Sequence, residues 1–267
     1  MTEIDPRFQR NHGVISAEVM QKLANTHILV AGVGGAGGQC AMDLARLGFG
    51  YLTLADPDTY ELHNCNRQAG CFESTLGKNK VDIIERMTQD VNPKIQIRKI
   101  IAGVTRDNVE SLFTHTGWPD VSFVVEAIDG VAPDAKRAVH DVARKRGVVA
   151  MTGLMLGFGA ALHVFQPDAP SYDKLFFGAD GKINFPSVVP RTGSYMSREV
   201  LDRHFAGQGY APTCTIGATT ASALMVSEIM RGILNGPRAM TSWPECIYVD
   251  HHDHVYFRGR PADLPGS

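Results

Sequence analysis

The sequence has no apolar run of membrane-spanning length, no basic run, and no two cysteines in a CxxC spacing. A membrane helix needs about 20 apolar residues, and the polar N-terminal residues do not resemble a signal peptide. We therefore expect a cytoplasmic protein with no membrane partner. Five scattered cysteines indicate a reducing compartment and argue against a disulfide framework or a paired-thiolate zinc site. The net charge of −2 argues against an extended nucleic-acid groove.

The most informative stretch runs from Ile28 to Asp58. A short apolar strand over 28–31 leads into a glycine-rich turn, a helix, a second strand over 51–55 and then Asp56. This order is typical of a nucleotide-binding βαβ unit. Glycines let backbone N–H groups approach a phosphate at the helix N-terminus, and Asp56 is placed to accept bonds from ribose hydroxyls. The predicted nucleotide-binding glycines are Gly32, Gly34, Gly35 and Gly37.

Strands alternate with amphipathic helices along the first part of the chain, and the stretch DNVESLFTHT (107–116) is predicted to be one of these helices. The alternation predicts an α/β fold, a Rossmann-like doubly wound and mostly parallel sheet with helices on both faces. A C-terminal crossover loop, a helix and an antiparallel hairpin follow. We predict one domain, 1–267, made of an N-terminal arm and helix (1–27), a nucleotide-binding core (28–159) and the C-terminal elements (160–267). The segment 167–211 is long for a loop, which indicates a cover over a substrate.

Polar residues cluster where two of the predicted strands end. The candidates after the second strand are Asp56, Asp58, Asn64, Arg67 and Gln68. Lys80 begins a later helix, and Asp129 ends the VVEAID strand. Because α/β sheets bind ligands at the carboxyl ends of their strands, we expect these groups to meet there. Two cations for phosphate charge and acids for ribose or Mg²⁺ suit nucleotidyl transfer better than hydride transfer.

These residues carry a resemblance to a known family. The motifs GVGGAG, LTLADPDTYELHNCNRQ, GKNKV and EAIDG resemble those of the ThiF/MoeB/HesA superfamily, bacterial relatives of ubiquitin-activating enzymes. The resemblance extends from about Arg7 to the final hairpin. It implies ATP·Mg²⁺-dependent adenylylation of a carboxylate, often the C-terminal glycine of a ubiquitin-like protein, with release of pyrophosphate. It also implies a homodimer in which Arg10 reaches the nucleotide of the partner subunit.

The resemblance also assigns roles to the candidate residues. Gly34, Gly35 and Gly37 would cradle the nucleotide, Asp56 would bind the ribose, and Asn64, Arg67 and Lys80 would bind the phosphates. Asp129 would help to hold Mg²⁺. Arg67, Lys80, Asp129 and Arg10 are therefore the candidate catalytic residues.

The chain departs from the superfamily pattern at its cysteines. Zinc-bearing relatives carry PCYxCLF where this chain has PSYDKLF over 170–176, so we expect no structural zinc. The crossover segment 167–211 contains no cysteine for a covalent step. Cys214, close to the start of the last long helix, is the candidate thiol. We interpret Cys65 and Cys71, near the nucleotide site, as uncharged side chains that only fill space.

The substrate and two other function classes remain open. A ubiquitin-like sulfur carrier, a peptide or a small-molecule acid would supply the carboxylate. A tRNA-modifying dehydratase of the same superfamily has a similar length, although the chain has no basic run. An NAD(P)-dependent oxidoreductase would use the same glycine turn but would leave Arg67 and Lys80 idle. A catalytically silent scaffold would be expected to have lost a phosphate-contacting residue.

Overall fold

Eight strands form the central sheet of the computed structural model, which describes residues 5–129, 132–177, 184, 188–205 and 208–264. The strands are β1 (His27–Ala31), β2 (Tyr51–Ala55), β3 (Gln96–Ile100), β4 (Val121–Glu126), β5 (Val149–Leu156), β6 (Gly159–Phe165), β7 (Cys246–Asp250) and β8 (Val255–Gly259). The α-helices given by the described residues are α1 (Ala17–Ala24), α2 (Gly35–Leu47), α3 (Lys80–Val91), α4 (Pro133–Lys145), α5 (Tyr172–Phe176), α6 (Arg198–Phe205) and α7 (Thr215–Asn235).

The strand order is β3-β2-β1-β4-β5-β6-β7-β8. The first five strands in this order pair in parallel, and β6, β7 and β8 extend the sheet by antiparallel pairing. The order reverses at β1, between β2 and β4, and doubly wound sheets bind ligands at the carboxyl ends of the strands at such a point. The predicted doubly wound α/β fold is confirmed, including the closing hairpin with His251–His254 at its tip.

Both faces of the sheet are covered by helices. All five residues of β1 are buried, as expected for a central parallel strand. Ile28 and Val30 point into a core shared with α2, α3 and α7. Leu29 and Ala31 point into a second core shared with α4 and the 3₁₀ turn Val109–Phe113. None of the helices that the structure describes is long and apolar enough to cross a membrane.

Two segments differ from the sequence-based prediction. The stretch DNVESLFTHT, predicted as a helix, forms only the 3₁₀ turn Val109–Phe113. Thr105 and Asn108 exchange side-chain-to-backbone bonds before this turn, the reciprocal pattern of a helix start, but the chain does not continue as an α-helix. The segment 167–211 is more ordered than a loop. It contains α5 and α6 and buries Tyr172, Leu175 and Phe176 against Phe165, although parts of it (178–183, 185–187 and 206–207) lie outside the described residues.

Candidate active site

The turn between β1 and α2 places backbone N–H groups at the carboxyl edge of the sheet, and among residues 32–37 only Gly34 is partly exposed. Gly32 has a φ of +88°, and a Cβ atom there would overlap the carbonyl oxygen of Ala127, so only glycine fits. A Cβ atom on Gly37 would likewise overlap the carbonyl oxygen of Gly32. Helix α2 begins at Gly35, and its cap residue Gly34 supplies no side chain to the first N–H groups. These donors lie at the positive end of the helix, where a bound anion would be stabilised.

Asp56 holds the glycine turn against the end of β2. Its Oδ2 accepts the N–H of Val33 at 2.7 Å, and its Oδ1 accepts the N–H of Asp58 at 2.9 Å. Burial raises the pKa of Asp56, against the opposing charge of Lys80 and the two N–H donors. A carboxylate has about four acceptor sites, so Asp56 retains capacity for ribose hydroxyl groups.

Lys80, at the start of α3, is the buried cation of the site. Its Nζ lies 2.9 Å from Asp58 Oδ2, and its backbone N–H donates to the Asp58 carbonyl at 3.0 Å. The Lys80 side chain is 8% exposed, whereas the Asp58 side chain is 63% exposed. The backbone and the ion pair thus fix the ammonium group beside a carboxylate that faces solvent, where a phosphate oxygen can approach it.

Asn64, Arg67 and Gln68 lie on one loop after β2. Asn64 is buried, and its Oδ1 accepts the N–H of Glu61 at 3.1 Å, so this amide shapes the loop. Arg67 is partly buried, and its Nη1 donates to the carbonyl of His63 at 3.0 Å. Gln68 is buried against the glycine turn, since a Cβ on Gly34 would lie 3.6 Å from its Nε2. Its Oε1 has no hydrogen-bond partner among the described residues.

Asp129 lies on the other side of the glycine turn, and one expectation about it is wrong. The predicted strand ending in Asp129 stops at Glu126, because the Glu126 carboxylate accepts the N–H of Ile128 at 2.7 Å and bends the chain. Asp129 is exposed on the following loop. That loop begins at Ala127, which contacts the Gly32 turn, so Asp129 belongs to the same edge of the sheet as Asp56.

Arg10 lies away from the residues gathered at this edge. It is exposed on the 3₁₀ turn Pro6–Asn11. The neighbouring Phe8 packs against Gly48 at the C-terminal end of α2, since a Cβ there would lie 3.4 Å from its ring. The 13 residues of α2 span about 20 Å at about 1.5 Å per residue. The structure therefore does not bring Arg10 to the glycine turn of its own chain.

Cys214 is the cap residue of α7 and is partly exposed. Its Sγ donates to the carbonyl of Gly157 at 3.3 Å. The preceding residue, Thr213, accepts a bond at 3.1 Å from Asn66 on the loop that carries Arg67. The start of α7 is thereby tied to the loop after β2, which places this thiol at the border of the site.

The sequence reasoning missed a buried polar cluster behind the site. Glu126 Oε1 accepts from Lys136 Nζ at 2.7 Å, Glu126 Oε2 accepts from Thr152 Oγ1 at 2.7 Å, and His140 lies 3.6 Å from the same carboxylate. Burial raises the pKa of Glu126, but Lys136 and His140 outweigh it and lower the pKa to about 2. Lys136 and His140 share the buried face of α4 with Val139. A lysine and a histidine on an apolar stripe signal a buried partner.

A family model described as the ThiF family matches residues 8–243. The chain belongs to the ThiF family. Two similar curated proteins are tRNA threonylcarbamoyladenosine dehydratases. The one from Bacillus subtilis is 33% identical over 125 residues, which are 47% of this chain and 48% of that protein. The one from Escherichia coli is 33% identical over 129 residues, which are 48% of this chain and 47% of that protein. The match thus spans about half the length of each relative.

A solved structure of E. coli MccB with ATP is similar to this ThiF-family chain over 99% of its length and 74% of the MccB chain. The TM-score is 0.72 and the identity is 17%. At this identity the likeness concerns the fold alone. The resemblance found in the motifs is confirmed by the family match, and the eight-stranded sheet agrees with the fold of that structure. The roles of the individual site residues stay predictions.

Proposed function

We propose that this ThiF-family protein adenylylates a carboxylate with ATP and releases pyrophosphate. The observation that carries the proposal is the ammonium group of Lys80. This group is buried, and its Nζ lies 2.9 Å from Asp58 Oδ2. Asp58 follows Asp56 by two residues, and Asp56 accepts a hydrogen bond from the glycine turn. One edge of the sheet thus carries a fixed cation and helix N–H donors, which suit the charged triphosphate of a nucleotide, and an acid that suits its ribose.

Each group has a role in the transfer. Gly34, Gly35 and Gly37 provide backbone donors to phosphate oxygens, while Asp56 accepts from the ribose. Lys80 and Arg67 neutralise the charge that grows as a carboxylate oxygen attacks the α-phosphorus and pyrophosphate leaves. Gln68 brings amide donors to the glycine turn, Asn64 keeps its Nδ2 group as a donor, and Asp58 holds the Lys80 ammonium in place.

We assign Mg²⁺ to the carboxylate of Asp129. Mg²⁺ binds through one or two carboxylates together with phosphates and waters, so a single exposed acid beside the glycine turn fits it. The described residues contain no group of three or more His, Cys, Asp or Glu side chains that could hold a metal ion. The ion would supply charge neutralisation at the phosphates.

We also propose that the protein works as a homodimer. Arg10 is exposed about the length of α2 away from its own glycine turn, so its predicted contact with a phosphate requires a second copy. A partner's arginine beside the transferring phosphoryl group would stabilise its charge. Cys214, beside the loop of Arg67, is the candidate acceptor if the activated acyl group passes to a thiol.

The carboxylate belongs to one of three classes in this proposal: the C-terminus of a ubiquitin-like carrier, a peptide or a small-molecule acid. A second candidate function is ATP-dependent dehydration of a carboxylate-bearing adenosine in tRNA. The two similar proteins named as tRNA threonylcarbamoyladenosine dehydratases favour it. Both functions begin with the same activated carboxylate, so they differ in the substrate and not in the nucleotide site.

Pyrophosphate exchange tests the proposal. Purified protein is incubated with ATP, Mg²⁺ and labelled pyrophosphate, with one candidate acid at a time: carriers ending in Gly-Gly, peptides, small acids and threonylcarbamoyladenosine tRNA. We expect exchange that depends on one of these acids and is lost in Lys80→Ala. Lys78→Ala, with an exposed side chain on the same segment, is the matched control and should retain exchange. Tight NAD binding without ATP binding would overturn the assignment in favour of an oxidoreductase.

A further inference from the structure

Two free cysteines face each other across the loop that carries the predicted phosphate-binding residues. Cys65 Sγ and Cys71 Sγ are 3.1 Å apart, about 1 Å more than the bond length of a disulfide. The segment between them carries Arg67 and Gln68. The sequence predicts two uncharged thiols that only fill space, and it does not reveal that their sulfur atoms are in contact.

The fold holds both cysteines in place. The N–H of Cys65 donates to the carbonyl of Leu62 at 3.2 Å, and the N–H of Cys71 donates to the carbonyl of Gln68 at 3.0 Å. The Cys71 side chain packs in a small buried cluster with Tyr60 and Ile83. Because both backbones are fixed, the loop holds the two cysteines close together, and only the χ1 torsion of each side chain is left to set the distance between the sulfur atoms.

The two thiols differ in access. Cys65 is exposed and Cys71 is buried. Burial, together with the Cys65 sulfur, raises the pKa of Cys71 to about 11. An oxidant in solution therefore meets Cys65 first, and Cys71 stays a protonated thiol within reach of it. An accessible thiol beside a resolving cysteine is the arrangement of reversible redox sites.

We propose that Cys65 and Cys71 form a peroxide-oxidised disulfide site. The Cys65 thiol takes one oxygen atom from hydrogen peroxide and becomes a sulfenic acid, and one water leaves. The Cys71 sulfur then attacks the Cys65 sulfur, the S–O bond breaks, and the hydroxyl group leaves with the Cys71 proton as a second water. The two thiols lose two electrons and peroxide gains them. Thiol reductants reverse the reaction by exchange.

A disulfide would change the conformation of the segment 65–71 and so weaken its predicted binding to phosphate, a consequence that rests on the proposed function. The Cys71 thiol donates to the carbonyl of Glu61 at 3.4 Å, and the N–H of Glu61 donates to Asn64. Oxidation removes this thiol donor and draws the two ends of the segment 65–71 together. Arg67 and Gln68 move with it, so we expect the oxidised protein to bind ATP about tenfold more weakly, which corresponds to about 1.4 kcal/mol.

Peptide mapping tests the disulfide without any assay of function. The full-length protein is treated with a small excess of hydrogen peroxide, remaining thiols are blocked, and peptides are identified by mass spectrometry. We expect a peptide pair linked through Cys65 and Cys71, lighter by two hydrogen atoms and restored by dithiothreitol. Cys214, partly exposed and with no cysteine partner among the described residues, is the matched control and should stay unlinked. Sulfinic acid at Cys65 with Cys71 still free would overturn the proposal.

ATP binding to the same samples tests the consequence. Isothermal titration with ATP and Mg²⁺ is performed on reduced and oxidised wild-type protein and on Cys71→Ala. We expect weaker binding in the oxidised wild type and recovery after reduction. In Cys71→Ala, Cys65 is still oxidised but cannot form the disulfide, so its ATP affinity should not fall tenfold after peroxide treatment. A linked pair with unchanged ATP affinity would refute the effect on the loop. Absence of ATP binding in the reduced protein would refute the proposed function while the mapped disulfide still stood.

Discussion

Two lysines occupy matching positions on either side of the glycine turn. Lys80 opens α3, after β2, and pairs with Asp58 at 2.9 Å; Lys136 lies on α4, after β4, and pairs with Glu126 at 2.7 Å. Both ammonium groups are buried. Their partners differ, since the Asp58 side chain is 63% exposed and that of Glu126 is fully buried.

We propose that this difference separates a ligand-binding cation, Lys80, from a structural one, Lys136. Lys136 donates to Glu126 and also to the carbonyl of Ile128 at 2.6 Å, so its charge is used inside the protein and fixes the loop before Asp129. Lys80 faces a carboxylate that water already reaches, and an incoming phosphate can share the ammonium group with it. The exposure of the partner carboxylate thus distinguishes the two roles.

Lys136→Met should produce the largest loss of stability. It leaves Glu126 as a buried charge without its cation, which costs about 3–5 kcal/mol of unfolding free energy. Urea unfolding followed by circular dichroism measures the change. Lys145→Met is the control on the same helix: its partner Glu110 is half exposed, so the loss should stay within about 1 kcal/mol. Equal losses in the two variants would remove the claimed structural role of Lys136.

Gly32→Ala should destabilise the turn that joins the two lysine sites. Its φ is +88°, and the new Cβ would overlap the carbonyl of Ala127, so we expect a loss of about 2–4 kcal/mol from backbone strain and steric overlap. Gly77→Ala separates these causes, because Gly77 has a φ of +75° with no atom within 4 Å of a new Cβ. Its loss should be about 1–2 kcal/mol. Thermal unfolding compares the two variants, and a Gly32 variant no worse than the Gly77 variant contradicts the close approach.

The buried pair should also appear in the acid stability of the protein. The pKa of Glu126 is lowered to about 2 from an ordinary value of 4.5. Its ionised form therefore stabilises the fold above about pH 4.5, and this contribution is lost as the pH falls towards 2. Unfolding free energies measured across this range should fall less steeply in the double variant Lys136→Met/Glu126→Gln than in the wild type. Parallel curves would show that Glu126 does not ionise differently in the folded protein.

Lys80→Met should have the smallest effect on stability. Water solvates the exposed Asp58 carboxylate once its partner is gone, so we expect a loss of about 1 kcal/mol or less. The same urea unfolding experiment measures it beside Lys136→Met. A loss as large as that of Lys136→Met would mean that Lys80 is also held for structure.

The sequence predicts the parallel core, which the structure confirms, because strand and helix patterns are local. The roles of the site residues on this core stay predictions. The glycine turn, the five-residue strand ending before Asp56, and Lys80 at the start of a helix are each specified by neighbouring residues. The sequence pattern places the end of β4 at Asp129, whereas the strand ends at Glu126. Both acids follow the same apolar run, so the pattern does not distinguish them. The bond from Ile128 to Glu126 that ends the strand was not visible in the spacing.

The contacts that the sequence did not reveal join residues from separate elements. Glu126 meets Lys136 on α4 and Thr152 on β5, and these pairs depend on how α4 packs on the sheet. The close approach of Cys65 and Cys71 depends on the path of one loop. The distance of Arg10 from the glycine turn depends on the packing of Phe8 at the far end of α2. Hydrophobic periodicity shows which face of a helix or strand a residue lies on, but it does not show which two faces pack against each other.

The most direct test of the account is ATP·Mg²⁺ affinity, measured by isothermal titration in Lys80→Met, Lys78→Met and the wild type at a temperature where all three are folded. Removal of a charge-assisted bond to phosphate costs about 1.5–3 kcal/mol. We therefore expect Lys80→Met to bind ATP at least about tenfold more weakly while its unfolding free energy stays close to the wild-type value. Lys78→Met should bind as the wild type does. Unchanged ATP affinity in Lys80→Met would contradict the central claim that Lys80 is the cation of a nucleotide site.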